Sequence, residues 1–213
     1  MPRPTLKSPE RGDARTRLLE AARDLIRANG FGATSIDALC DAAGVTKGAF
    51  FHHFANREAL GVAAAQFWTQ TTSAFFASAP YHAPRDPLER VLAYVAFRKS
   101  MIVGELAEFT CLAGTMVQEV HASSDAIRDA CGESILGHAA TLEADIRAAM
   151  RQRKTVAPVS PKSLARHTQT VIQGAFVLAK AGNDPALARE ALDHLDRYVR
   201  LLFRLPPDDQ ESP

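Results

Sequence analysis

Lys47, Gly48, Phe51 and His52 lie in the run Val45-Thr46-Lys47-Gly48-Ala49-Phe50-Phe51-His52-His53-Phe54, and their spacing suits contact with a polyanion. On a helix, residues four apart share a face, so Lys47 goes with Phe51 and Gly48 with His52. Val45, Phe50 and Phe54 then point the opposite way, into a core. Lys47 offers a cation to a phosphate, and His52 offers a ring nitrogen to a base edge. Gly48 leaves bare backbone near the helix start, which permits close approach. Thr46 supplies a hydroxyl N-cap. The segment before it, Ser35 to Ala43, is short and apolar-periodic and ends at Gly44, a residue suited to a left-handed turn. Two short helices joined by a tight glycine turn make a helix-turn-helix, the second helix being the DNA reader.

Other reactive side chains do not assemble into a site. Cys40, Cys111 and Cys131 lack metal-ligand spacing, and adjacent His52 and His53 point in different directions, so no metal is expected. No glycine-rich phosphate loop, His-Glu-x-x-His pair or nucleophile triad can be read. The sequence therefore calls for no cofactor and no catalytic residue.

These residues must be held by helices. The chain of 213 residues is 46% apolar and 23% charged, the balance of an ordinary globular protein, and is long enough for a sizeable core. It has no membrane-spanning run and no secretory leader, which predicts a cytoplasmic protein with no membrane partner. Nine Lys/Arg against six Asp/Glu in residues 1–57 give +3, whereas the rest is −2. The proline-rich stretch 1–12, with Arg3, Lys7 and Arg11, reads as a disordered basic arm, and 206–213 as a disordered tail. A helix is predicted from about Asp13 to Asn29 on the stripe Leu18, Leu19, Ala22, Leu25 and Ile26. Thr34 with Asp37 reads as a capping box, which would also place Thr34 beside the DNA backbone. Asn56 caps a helix running to about Ala79, and Arg57 in its first turn is a further phosphate contact. Asp86-Pro87, Ser160-Pro161 and Asp184-Pro185 each announce a helix start. Between them, one helix is expected from about Leu106 through Val120, and a long one from Ser124 through Ile146. No strand-like alternation occurs, so the fold class is all-α. The last two helices, about 161–181 and 185–204, complete a monomer core or form an interface.

The segments Thr34-Ser35-Ile36-Asp37, Ala42-Ala43-Gly44-Val45-Thr46-Lys47-Gly48, His53-Phe54 and Asn56-Arg57-Glu58-Ala59-Leu60 resemble the N-terminal domain of the TetR family of bacterial transcriptional regulators. The resemblance implies a helix-turn-helix domain over 13–57 and a ligand-binding and dimerisation domain over 58–205. It implies a repressor that is a homodimer on palindromic operator DNA, released by a small-molecule inducer, with the DNA contacts drawn from Thr34, Thr46, Lys47, Gly48, Phe51, His52, His53 and Arg57. An activator of the same fold, or a small-molecule-binding or enzymatic protein with a vestigial helix-turn-helix, stays open. Two departures bear on operator sequence: Ala49 stands where the family usually has Thr or Ser, and Phe51 where it has Tyr. The resemblance makes the last two helices the dimer interface, in which Ala175 and Leu195 are expected. It also surrounds a ligand cavity with aromatics, among them Trp68, Phe109 and Phe176. The run Cys111-Leu112-Ala113-Gly114 is similar to a subgroup responding to electrophiles or acrylate-type acids. There Cys111 would be the reactive group and Lys180 its partner, the alternative being a small buried hydrophobe.

Overall fold

A computed structural model describes residues 13–206; the basic arm expected over 1–12, and all of the expected tail but residue 206, lie outside them. Among the described residues there are eleven α-helices and no strand. They are α1 Ala14–Asn29, α2 Ile36–Ala43, α3 Lys47–His53, α4 Arg57–Ala77, α5 Pro87–Ser100, α6 Leu106–Phe109, α7 Leu112–Val120, α8 Asp125–Thr141, α9 Glu143–Gln152, α10 Pro161–Gly182 and α11 Pro185–Leu202, with a 3-10 turn at Pro80–His82.

Local chemistry sets most boundaries. Asp13, Asn56, Asp86, Ser160 and Asp184 each accept a backbone N–H of the helix they open, satisfying donors that a helix start leaves unpaired. Gly44 adopts the left-handed conformation, φ 61°, and its N–H reaches the carbonyls of Asp41 and Cys40. That turn sets α3 against α1 and α2, with Phe50 and Phe54 buried beneath it.

Three expectations are corrected. Ser35, not Thr34, caps α2: its Oγ accepts from Ala38, while Thr34 is buried and donates its hydroxyl to the Gly30 carbonyl. The helix expected over Leu106–Val120 is two helices, because Thr110 is extended at ψ 159° and Cys111 re-caps the chain through Sγ. The helix expected from Ser124 breaks at Leu142. There Thr141 Oγ1 donates back to the His138 carbonyl at 2.7 Å, the kind of side-chain bond that bends helices.

Two apolar clusters hold the molecule. One joins α1–α4 to α7 and α8 through Leu18, Phe31, Leu60, Leu112, Met116 and Ile127. The other joins α5, α9, α10 and α11 through Val91, Tyr94, Ile146, Ile172, Leu192 and Val199. Packing thus crosses the motif boundary near residue 57: the helices of the helix-turn-helix share a core with α7 and α8. Ala175 and Leu195 belong to the second cluster, 1% and 2% exposed. Each faces its own chain's interior, which removes both from the outward surface expected of them.

Candidate nucleic-acid interface and ligand cavity

The reading helix has a sharp division. Thr46 Oγ1 accepts from Ala49 N–H at 3.1 Å, fixing the start of α3, and Phe50 anchors its underside. Lys47, Gly48, Phe51 and His52 are exposed together, and His53 is half-buried with its ring edge against His52. Phe51 keeps 55% of its surface in water, a large cost for an aromatic with nothing to cover it. Lys47 pairs with Asp37 of α2 at 2.6 Å, both well exposed; this hydrogen bond raises the Lys47 pKa.

Two predicted contact residues do other work. Thr34 is 2% exposed with its hydroxyl engaged internally, so that side chain offers nothing to a phosphate. Arg57 Nη1 donates to the carbonyls of Gly32 at 3.1 Å, Thr34 at 3.3 Å and Phe31 at 3.5 Å, with its guanidinium over the Phe31 ring. It fastens the α1–α2 turn instead of reaching outward. The same turn is held from the opposite domain, since Glu119 of α7 accepts from the N–H groups of Phe31 at 3.1 Å and Gly32 at 2.6 Å. Gly30, at φ 89°, is where a Cβ would collide with that carboxylate. Sequence reasoning missed Glu119, whose partners lie 88 and 87 residues away.

Behind the reading unit is a cavity of about 370 Å³, walled by Trp68, Phe75, Phe76, Phe109, Phe176 and Cys111 among others. The predicted Trp68, Phe109, Phe176 and Cys111 are thus brought together. Its polar lining was not foreseen: Arg23, Asp24 and Arg27 from α1, Arg98 from α5, Glu108, Ser134 and His138, and Gln169 and Gln173 from α10. Arg27 Nε donates to the Thr110 carbonyl at 2.8 Å, and its guanidinium sits over Trp68 at 5.1 Å. Burial, then the charge of Arg23, lowers its pKa. Below the aromatics, Gln169 Nε2 donates to the Tyr94 hydroxyl at 2.7 Å, which lies 2.8 Å from His138 Nε2. Burial, with help from Arg98, pulls His138 down to about 4, so the imidazole is neutral near pH 7. The Tyr94 hydroxyl, already accepting from Gln169, then donates to Nε2.

Cys111 stands where this cavity meets a crevice of about 20 Å³ that also contains Lys180 and Thr110. Its Sγ accepts from Gly114 N–H at 3.3 Å, at a helix end that favours negative charge. Lys180 differs from expectation: it lines the crevice and not the cavity. Its Nζ donates to Thr115 Oγ1 at 2.9 Å and to the Arg27 carbonyl at 3.4 Å. No hydrogen bond joins it to Cys111. Burial lowers its pKa, followed by the charge of Arg27. Cys40 and Cys131 are buried, and burial pushes the Cys131 thiol up to about 12. Among the described residues no group of three or more His, Cys, Asp or Glu could hold a metal ion.

Known proteins share this fold. Residues 18–64 match the family model described as bacterial regulatory proteins, tetR family, and residues 87–195 match the one described as tetracyclin repressor-like, C-terminal domain. The HTH-type transcriptional regulator UidR of Escherichia coli K12 is 44% identical over 46 residues, 22% of this chain and 24% of UidR; the match spans about a quarter of that relative. Among solved structures, regulatory protein TetR from Rhodobacter sphaeroides superposes with a TM-score of 0.77 at 22% identity, covering 88% of this chain and 99% of that one. The reduced form of E. coli NemR gives 0.71 at 24% identity, covering 87% and 96%. At such identities these two structures speak for the fold alone.

Proposed function

The chain belongs to the TetR family and is a transcriptional regulator with a DNA-binding helix-turn-helix; from that premise we propose that it is a homodimeric cytoplasmic repressor of palindromic operator DNA, released when a small molecule fills the cavity behind the reading unit. One observation carries the release step. The DNA-reading unit itself forms part of the cavity wall, through Arg23, Asp24 and Arg27 of α1, and Arg27 is hydrogen-bonded to the α6–α7 junction.

A ligand that prefers one arrangement of that wall shifts the population towards it. Displacing the α6–α7 junction pulls on α1 through Arg27 and on the α1–α2 turn through Glu119. In a dimer, both movements change the separation of the two copies of α3. A seven-residue reading helix touches few bases, so twofold symmetry is what gives it specificity. The outward apolar residues of α10 and α11, with Leu178 56% and Leu201 69% exposed beside Val177 and Tyr198, supply the surface for the second copy.

On this reading Lys47 neutralises a phosphate, Phe51 and His52 face base edges, and Thr46, Gly48 and His53 position the backbone around them. The test is binding to the DNA upstream of the coding gene across a salt titration. Lys47→Ala should weaken all sequences alike and flatten the salt slope. His52→Ala should relax discrimination at one position per half-site, by about 1–3 kcal/mol. Unchanged binding in both variants would remove α3 from the reading role.

A second reading concerns the release signal and is favoured by the position of Cys111. Its Sγ lines the cavity at a helix start, whereas Cys40 and Cys131 are buried. An alkylating agent would form a carbon–sulfur bond at Cys111, with the thiol losing its proton and the agent its leaving group. The bulkier thioether would disturb the Gly114 N–H contact that caps α7 and with it the same junction. Mass spectrometry after limited alkylation should single out Cys111, and Cys111→Ser should then resist release by that agent. Equal labelling of all three cysteines would refute it.

A further inference from the structure

The charges of the cavity do not balance. Three arginines and two carboxylates line it. Both carboxylates are engaged: Asp24 with Arg23 at 2.7 Å, and Glu108 as acceptor from the Glu105 N–H at 2.7 Å. Arg27 spends Nε on the Thr110 carbonyl and stacks on Trp68, and its charge is felt by Asp24 and Glu108. Arg98 is left over. No carboxylate among the described residues pairs with it; its guanidinium instead lies over Phe76 at 5.1 Å and Phe176 at 5.8 Å.

Arg98 is only half-exposed, and the neighbouring titratable ring, His138, is held neutral. A guanidinium in such a place costs free energy unless an anion joins it, and its fork fits the two oxygens of a carboxylate. The rings beneath it are apolar walls on either side. The volume of about 370 Å³ is near the small end of ligand pockets, roughly 300–1,000 Å³, which suits one ring or a medium chain and not a polycyclic drug. We propose that the ligand of this cavity is an amphipathic monocarboxylate, its carboxylate on Arg98 and its apolar body between Phe76, Phe176 and Trp68. The inference rests on the reading above that this cavity is the inducer site, and it adds the chemical class.

The chain supplies its own reporter, because Trp68 is the only tryptophan and lines the cavity. Full-length protein is titrated with 3-phenylpropanoate, its uncharged amide 3-phenylpropanamide and the cation 3-phenylpropylammonium, following tryptophan emission. The carboxylate should bind at least about tenfold more tightly than the amide, as expected for one charge-assisted contact of about 1.4 kcal/mol or more, and the cation weakest. Arg98→Gln should erase the preference while leaving amide binding in place, and Arg98→Lys should keep part of it. Equal binding of carboxylate and amide by the unaltered protein overturns the inference without any variant, so a misfolded Arg98→Gln protein does not protect it. A preference that survives intact in a folded Arg98→Gln protein overturns it as well. Release of upstream DNA is measured with the same three probes. A carboxylate preference without DNA release supports the ligand class and counts against the induction reading, whereas release by neutral ligands alone does the reverse.

Discussion

Removing the Glu119 carboxylate should release the α1–α2 turn from α7, while the shared apolar core keeps the two packed together. The side chain accepts two backbone N–H groups, from Phe31 at 3.1 Å and Gly32 at 2.6 Å. Hydrogen bonds to a charged acceptor contribute about 1.5–3 kcal/mol each. Glu119 and Gly32 are exposed, so water recovers much of that on mutation, and about 2 kcal/mol is left for the pair. For a chain of this size that corresponds to a fall in Tm of roughly 4–8 °C in Glu119→Ala. Glu119→Gln should lose about half as much, because the amide oxygen still serves one donor. The direct assay is hydrogen exchange at the amides of Phe31 and Gly32, which should accelerate in Glu119→Ala more than those of the α2 interior. Operator binding should survive, while the ligand-driven loss of affinity shrinks, since this contact carries part of the coupling between sites. Unaltered exchange at both amides in Glu119→Ala would show that the clamp does not hold the turn, and the route from α7 to the reading unit would fail with it.

Arg57→Met should lower stability by about 1–2 kcal/mol through loss of its three carbonyl contacts, yet leave the salt slope of DNA binding unchanged; a flattened slope would return Arg57 to the phosphates. His138 is neutral in the fold with its pKa at about 4 against an ordinary 6.5. The unfolded chain therefore takes up the proton first, and stability should decline as pH falls from about 6.5 to about 4, then level off. His138→Gln should flatten that limb in urea titrations at several pH values, and an unchanged limb would place its cause elsewhere. Leu178→Glu should give monomers in sedimentation and weaken operator binding, because it sets a charge on the outward apolar face of α10; a dimer in that variant would move the interface.

The reading helix was legible because its signals are local. Gly44 followed by Thr46, and Phe50 and Phe54 on one side, act within a few residues, and the structure bears out the turn, the cap and the buried face. Proline and acidic or serine caps did the same for α5, α10 and α11. What escaped depends on distance in sequence. Arg57 resembles a surface cation in a helix start until the carbonyls of residues 31–34 come within reach. Thr34 and Ser35 are both plausible caps, and the choice falls to Ser35 because the Gly30 carbonyl takes the Thr34 hydroxyl. Arg98 sits beside Lys99 in the last turn of α5, where cations are commonplace; only the cavity distinguishes it. The break at Thr110 interrupts an apolar pattern that continues in register on both sides, so periodicity alone hides it.

α7 carries Cys111 as its cap at one end and Glu119 near the other. Nine residues form a rod about 13 Å long, too short to bend appreciably. A tilt of roughly 5° at the capped end therefore sweeps the Glu119 end by about 1 Å. Contacts of 2.6 and 3.1 Å stretched that far pass the limit of about 3.5 Å at which a hydrogen bond ceases to exist. If the cavity acts on the reading unit as proposed, the link through Glu119 has a breaking point, like a detent on a lever. Gradual filling of the cavity would reach the DNA as a click between two positions.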